Sequence, residues 1–263
     1  MSITSILIAT AVVGGTGLII GILLGIAGEK FAVEVDEKEI AVRECLPGNN
    51  CGGCGFPGCD GLAAAIAKGE AAVNACPVGG EACASAIANV MGVDAGDSVR
   101  MTAYVKCAGT CEKAKDLYEY VGPADCKLAM NNPGAGPKGC NYGCMGFGTC
   151  KNVCPFDAIE IVDGIAVVDP DKCKACGKCV AECPKHLIEL LPADATCHVK
   201  CNSKDKGIEV KKVCQTGCIG CGLCARNCPS DAIKVENNLA IIDQDKCTHC
   251  GVCKEKCPVK IIL

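Results

Sequence analysis

One arrangement of cysteines recurs along this chain and limits what it can fold into. Cys218, Cys221, Cys224, Cys228 and Pro229 follow the spacing C-x2-C-x2-C-x3-C-P. The same run returns at Cys247, Cys250, Cys253, Cys257 and Pro258, and stands upstream at Cys173, Cys176, Cys179, Cys183 and Pro184. A stretched copy, Cys140, Cys144, Cys150, Cys154 and Pro155, precedes that one. Two residues between cysteines let a tight turn wrap three thiols around one centre, with Gly177, Gly222 and Gly251 relieving the crowding. The fourth cysteine leaves on a departing segment, and the proline after it cannot pair through a backbone N–H.

This is the spacing of bacterial ferredoxins, in which three cysteines hold one [4Fe-4S] cube and the fourth ligates its neighbour. The motifs are therefore expected to work in pairs. Cys140, Cys144 and Cys150 go with Cys183, and Cys173, Cys176 and Cys179 with Cys154. Cys218, Cys221 and Cys224 go with Cys257, and Cys247, Cys250 and Cys253 with Cys228. The repeat extends beyond the cysteines. Asp157-Ala-Ile159 matches Asp231-Ala-Ile233, and Asp169, Asp171 and Lys172 match Asp243, Asp245 and Lys246, always at the offset that separates Cys154 from Cys228. Between paired motifs, Ile159 to Val168 reads as a hairpin turning at Asp163-Gly164, and Ile233 to Ile242 repeats it around Asn237-Asn238. The expected fold class is α+β, with tandem, duplicated 2[4Fe-4S] modules over 139–192 and 217–263.

The composition fits a metal-stabilised chain. Of 263 residues 28 are cysteine, only eight are Phe or Tyr, and none is Trp. Conventional cores would be thin, so bound cubes are expected to supply much of the folding free energy. A secreted disulfide scaffold is the rival, but these cysteines fall in ligand runs and no cleavable signal precedes them. Formal net charge is −4 with neutral thiols, and five cubes would take it to about −14. Such a charge argues against nucleic acid as a partner.

Ile3 to Gly28 contains no charged residue. As a helix it would span about 39 Å, more than the roughly 30 Å of bilayer hydrocarbon. Lacking a basic start, and too long for a signal peptide, residues 1–30 are expected to be a single transmembrane helix. Gly17, Gly21 and Gly25 form a small-residue face suited to helix contact. Everything after Lys30 should lie on the cytoplasmic side, where thiols stay reduced and cubes are assembled.

Phe31 to Glu44 reads as a linker or short helix. Then come Cys51, Cys54, Cys59 and Cys76, spaced C-x2-C-x4-C-x16-C, with the first three on a Gly/Pro loop. Helices over Asp60 to Lys68 and near Glu81 to Met91 should return the chain and cover the site. Zinc also suits four thiolates, but the neighbouring motifs favour a fifth cube, in a small helical domain over 31–100.

The glycine-rich first helix, the run Leu46-Pro-Gly-Asn-Asn-Cys51-Gly-Gly-Cys54-Gly and the ferredoxin motifs together resemble the B subunit of the Rnf complex. The resemblance covers essentially the whole chain. It implies an iron–sulfur electron-transfer subunit of a membrane ferredoxin:NAD+ oxidoreductase that exports Na+ or H+. It further implies soluble ferredoxin as donor, flavin-bearing and other membrane subunits as partners, and a place in the cytoplasmic membrane. No P-loop, dinucleotide fingerprint or catalytic triad is present, so no catalytic residue is expected here. The competing readings are a membrane-bound polyferredoxin serving another complex such as a hydrogenase, and a zinc-binding scaffold.

Eight cysteines remain. Cys45 and Cys83 are expected to be inert. Four of Cys107, Cys111, Cys126, Cys197, Cys201 and Cys214 are expected to hold an additional cube joining the modules, the alternative being buried thiols acting as small hydrophobes. Segments 101–138 and 193–216 read as connectors. Lysines cluster at Lys172, Lys174, Lys178, Lys185, Lys200, Lys204, Lys206, Lys211 and Lys212, a candidate docking face for acidic ferredoxin. His186, His198 and His249 show no metal-site spacing, although His249 lies inside a cluster loop.

Overall fold

A computed structural model describes residues 3–30, 36–97 and 99–263, with 4–9 and 29 described through their backbone only. The first part of the 31–44 segment lies outside the described residues. Helix α1 (Ile3–Lys30) is the expected long apolar element. Its Thr10–Gly28 stretch has mean hydropathy 2.1, none of it is buried, and it is long and apolar enough to cross a bilayer. Thr16 returns its hydroxyl to the carbonyl of Val12, 2.9 Å away, which satisfies that hydroxyl within the helix.

Helix α2 (Glu37–Cys45) begins at Asp36, whose carboxylate accepts from the Lys38 N–H at 3.0 Å. Helices α3 (Gly58–Ala67) and α4 (Gly80–Met91) follow, close to the expected bounds. The three pack through Val42, Leu62, Ile66 and Ile87, all essentially inaccessible, and an Arg43–Asp60 ion pair ties α2 to α3. This small helical unit carries the first cysteine loop against its core.

Strand β1 (Met101–Val105) opens the first ferredoxin-like module. Two single helical turns, α5 (Cys126–Ala129) and α6 (Thr149–Asn152), each present a cysteine. The expected hairpin is β2 (Ile159–Val162) with β3 (Ile165–Val168), turning where Asp163 and Gly164 both take positive φ. After α7 (Lys178–Glu182), strand β4 (Ile188–Pro192) pairs antiparallel with β1, Val105 opposite Ile188.

The second module repeats this plan. Helices α8 (Gly207–Val213) and α9 (Leu223–Arg226) precede the hairpin of β5 (Ile233–Glu236) and β6 (Leu239–Ile242), and α10 (Val252–Lys256) follows. His198 and Leu263 exchange backbone hydrogen bonds of 3.1 and 3.0 Å, with Val199 opposite Ile262, in the place that β1 and β4 occupy in the first copy.

The segments read as connectors thus supply the outer strand of each module. Thr102, Tyr104 and Val105 suit a strand, but the partners that make these segments strands lie far along the chain, Ile188 for Val105 and Ile262 for Val199. Apolar side chains such as Ile159, Leu187, Ile233 and Ile262 are interleaved with cysteines in both cores, as the scarcity of aromatics implied.

Candidate metal centres

Each centre starts from a loop that aims thiols and backbone N–H groups at one point. In the N-terminal unit the Asn50 side chain accepts from the Cys59 N–H at 2.8 Å, holding the loop onto the start of α3. Cys51, Cys54 and Cys76 lie within electrostatic reach of one another, and the Gly79 N–H points at Cys76 Sγ, 3.4 Å away. Cys83 is buried behind them and donates to the Cys45 carbonyl at 3.1 Å; burial pushes its thiol up to about 11. Neither Cys45 nor Cys83 is one of the four loop cysteines.

The second centre gathers Cys154, Cys173, Cys176 and Cys179 as expected, with N–H groups of Ala103 and Ala175 at 3.3 and 3.5 Å from Cys173 Sγ. Burial and the neighbouring sulfurs push Cys179 up to about 12. Crowded thiols of this kind give up their protons to a metal rather than to water.

The third centre differs from expectation. One small cavity is walled by Cys126, Cys144, Cys150 and Cys183, and Cys150 senses Cys144, Cys126 and Cys183 in that order. Cys140 is not among them. The physical reason lies in the repeat itself. In the register that sets Cys154 against Cys228, the equivalents of Cys218, Cys221 and Cys224 are Cys144, Phe147 and Cys150. Phe147 cannot ligate and stacks on Tyr120, ring centroids 4.9 Å apart. Its place is filled from α5, where Asp125 caps the turn and Thr149 accepts from the Cys126 N–H at 2.7 Å. Strict use of the repeat register would have exposed the gap at Phe147.

The fourth centre, Cys218, Cys221, Cys224 and Cys257, walls a small cavity of its own. In the fifth, Cys247 lies within reach of Cys228 and Cys250, and Cys253 of Cys247. Cys197 packs against this centre, and Cys197, Cys247 and His249 bring ligand atoms within 4.8 Å of one another. That neighbourhood of His249 had no signal in residue spacing.

The leftover cysteines are not gathered as expected. Cys126 joins the third centre and Cys197 the fifth, while Cys111 is exposed beside the β2–β3 turn, its N–H donating to the Asp163 carbonyl at 2.9 Å. Cys107, Cys201 and Cys214 meet instead with Cys140, around one small cavity. The lysine cluster is divided as well. Lys204, Lys206, Lys211 and Lys212 are exposed, but Lys185 turns inward and Lys200 is half-buried, its Nζ 5.9 Å above the Tyr104 ring.

An anionic iron–sulfur cube suits these sites on two observations. Lys185 Nζ is buried with no hydrogen-bond partner, beside Cys140, Cys144 and Cys107, where a cube would supply the missing negative charge. Among the described residues, the group of ligand atoms within 4.8 Å is Cys197, Cys247 and His249; the four-cysteine cavities spread their sulfurs more widely than one zinc ion at about 2.3 Å from each can span.

Comparison with known proteins agrees with these positions. An Fe-S cluster family model matches residues 46–78, and 4Fe-4S dicluster domain models match 135–184 and 217–261. The chain is 52% identical over 245 residues to the B subunit of the Na(+)-translocating ferredoxin:NAD(+) oxidoreductase complex of Acetobacterium woodii, covering 93% of this chain and 73% of that one. It is 42% identical to the B subunit of the ion-translocating oxidoreductase complex of Methanosarcina acetivorans, covering 92% of both. It is 43% identical to the counterpart in the proton-translocating complex of Clostridium ljungdahlii, over 87% of this chain and 81% of that one.

Proposed function

We propose a role for this chain on the premise that it belongs to the B-subunit family of the Rnf complex, the ion-translocating ferredoxin:NAD(+) oxidoreductase. It is an iron–sulfur electron-transfer subunit, and other subunits of the complex are its partners. In the finer reading its donor is soluble ferredoxin, and flavin-bearing membrane subunits receive the electrons. Helix α1 crosses the cytoplasmic membrane once, with the cysteine domains on the cytoplasmic side. The motif cysteines from Cys51 to Cys257, with Cys126 in place of Cys140, hold five [4Fe-4S] cubes. Bound cubes supply one-electron chemistry; the chain holds them, keeps water out and sets their spacing.

The observation that carries this reading is the close approach of the N-terminal centre to the second one. A Cβ placed on Gly53 would lie 2.7 Å from the Cys176 carbonyl oxygen, so only glycine lets the two cysteine loops touch there. Cys51 and Cys176 accordingly sense one another. A chain of centres thus leads from the ferredoxin-like modules to the unit that follows α1.

Anaerobic mixing of the detergent-purified chain with reduced ferredoxin tests the donor. Bleaching of the thiolate-to-iron absorption, with oxidised ferredoxin as product, is expected. A chain bleached by dithionite but left coloured by ferredoxin would remove ferredoxin as donor.

A further inference from the structure

We propose that Cys197 and His249 donate hydrogen bonds to the cube of the fifth centre and raise its reduction potential above that of its duplicate, the second centre. The inference rests on the iron–sulfur reading above and concerns two residues outside the ligand sets.

The two centres are copies. Cys154, Cys173, Cys176 and Cys179 recur as Cys228, Cys247, Cys250 and Cys253 at one constant offset. A backbone donor recurs with them: the Ala175 N–H lies 3.5 Å from Cys173 Sγ, and the His249 N–H takes the same part at Cys247. The surrounding side chains do not recur. In this register Ala175 becomes His249 and Pro170 becomes Gln244. The outer strands add a third change. Val105 faces Ile188 and Val199 faces Ile262, so the two segments are equivalent and Ala103 becomes Cys197. Ala103 reaches the second centre only through its N–H, 3.3 Å from Cys173 Sγ. Three side chains that cannot donate a hydrogen bond are thus exchanged for three that can.

The exchanged groups meet at the sulfurs. Cys197 is 2% exposed and shares a side-chain hydrogen bond with Cys253. Once iron displaces the Cys253 proton, the thiol proton of Cys197 is the one left to donate. Cys197 Sγ, Cys247 Sγ and a ring nitrogen of His249 lie within 4.8 Å of one another. Among the described residues His249 Nδ1 is buried without a hydrogen-bond partner, and cube sulfur gives it one. Gln244 holds the arrangement, its Nε2 donating to the Cys197 carbonyl at 3.0 Å.

Reduction adds one electron to the cube, with no bond made or broken and no proton moved. Donors facing cube sulfur stabilise the added negative charge, so they raise the potential. Cys250 is exposed, which opens the fifth centre to a reduced one-electron donor outside the chain. Of the two copies, the fifth centre is therefore the better acceptor.

EPR-monitored redox titration of the anaerobically purified full-length protein at one fixed pH, with iron measured alongside, tests this. Cys197→Ala and His249→Ala install the first module's residues. Each should keep its iron, while spin amounting to one cube becomes harder to reduce. At a fixed poise the reduced-to-oxidised ratio of that component should fall about tenfold, a shift of about 59 mV. Cys197→Ser keeps a donor and should recover most of the shift. Superimposable titrations of the wild type and both fully loaded alanine variants overturn the proposal. A shift that the serine variant retains is packing, and overturns it too. So does a loss of about four irons confined to Cys197→Ala, which would make that cysteine a ligand. If that variant does not fold, His249→Ala decides by the same shift. A wild type without iron would instead defeat the iron–sulfur reading as a whole.

Discussion

At the scale of single residues, the exchange of Phe147 for Cys126 is the most informative departure from the motif. Cys126 comes from a separate turn, well ahead of Cys144 in the chain, yet it shares a cavity with Cys144, Cys150 and Cys183. Cys126→Ala should therefore cost about four irons per chain. Adding Phe147→Cys should restore them, because it rebuilds the unbroken run Cys144-x2-147-x2-Cys150. Iron analysis of the single and double variants checks both, and an unaltered iron content in Cys126→Ala would return the third centre to Cys140. Gly53 offers a different kind of test. Gly53→Val places a side chain where the Cys176 carbonyl already lies, and overpacking of this sort costs about 1–3 kcal/mol. Iron content should stay constant while reduction of the Cys51, Cys54, Cys59 and Cys76 centre by ferredoxin slows. An unchanged rate would mean that the contact is not part of the route.

Among the elements, α2, α3 and α4 form the one conventional core of the described residues. Leu62 and Ile87, 1% and 0% exposed, meet between them next to Cys59, Cys76 and Cys83. Leu62→Ala should destabilise this unit by about 2–5 kcal/mol. In a thermal melt followed by visible absorption, an early phase amounting to one centre should separate from the rest. A single, unshifted transition would show that the cubes, not the helices, hold the unit together. Helix α1 makes the opposite case, since nothing lies within 4 Å of a Cβ built on Gly17, Gly21 or Gly25. Its stability is that of a long apolar helix in lipid. Removing residues 1–30 should shift the protein from the membrane fraction to the soluble one with its iron retained, as fractionation and metal analysis would show.

For the whole molecule, charge decides how a partner is met. Lys204, Lys206, Lys211 and Lys212 are exposed together around α8, while Glu209 neutralises Lys212 in part through a 2.8 Å ion pair. Replacing all four by Glu should raise the apparent KM for ferredoxin several-fold at low salt, and the difference should fade as screening sets in above about 0.15 M. Equal KM values at low salt would place the docking surface elsewhere. Lys185 and Lys200 do not belong to that surface, because they turn toward cysteines instead of solvent. The expectation of one continuous basic face failed here for a plain reason. Lysines in a chain that binds anions internally are divided between the outside and the inside, and their order in the sequence does not say which.

Much of the protein was legible from its residues: the membrane-length helix, the Asp163-Gly164 and Asn237-Asn238 hairpins, the helices that flank Cys59 and Cys76, and the family. All are encoded within a few residues of themselves, because a C-x2-C-x2-C turn or an apolar run carries its own geometry. The crossed pairing of the runs, such as Cys154 with Cys173, Cys176 and Cys179, was legible too; tertiary structure alone decided where the cysteines outside the regular runs go. Cys126 reaches Cys144, and Cys107 and Cys140 reach Cys201 and Cys214, only after β1 has paired with β4 and Val199 has come opposite Ile262. Such pairings are chosen by long-range packing and not by local preference, so the spacing of cysteines could describe each regular run and its crossed partner but not where the cysteines outside the runs would meet.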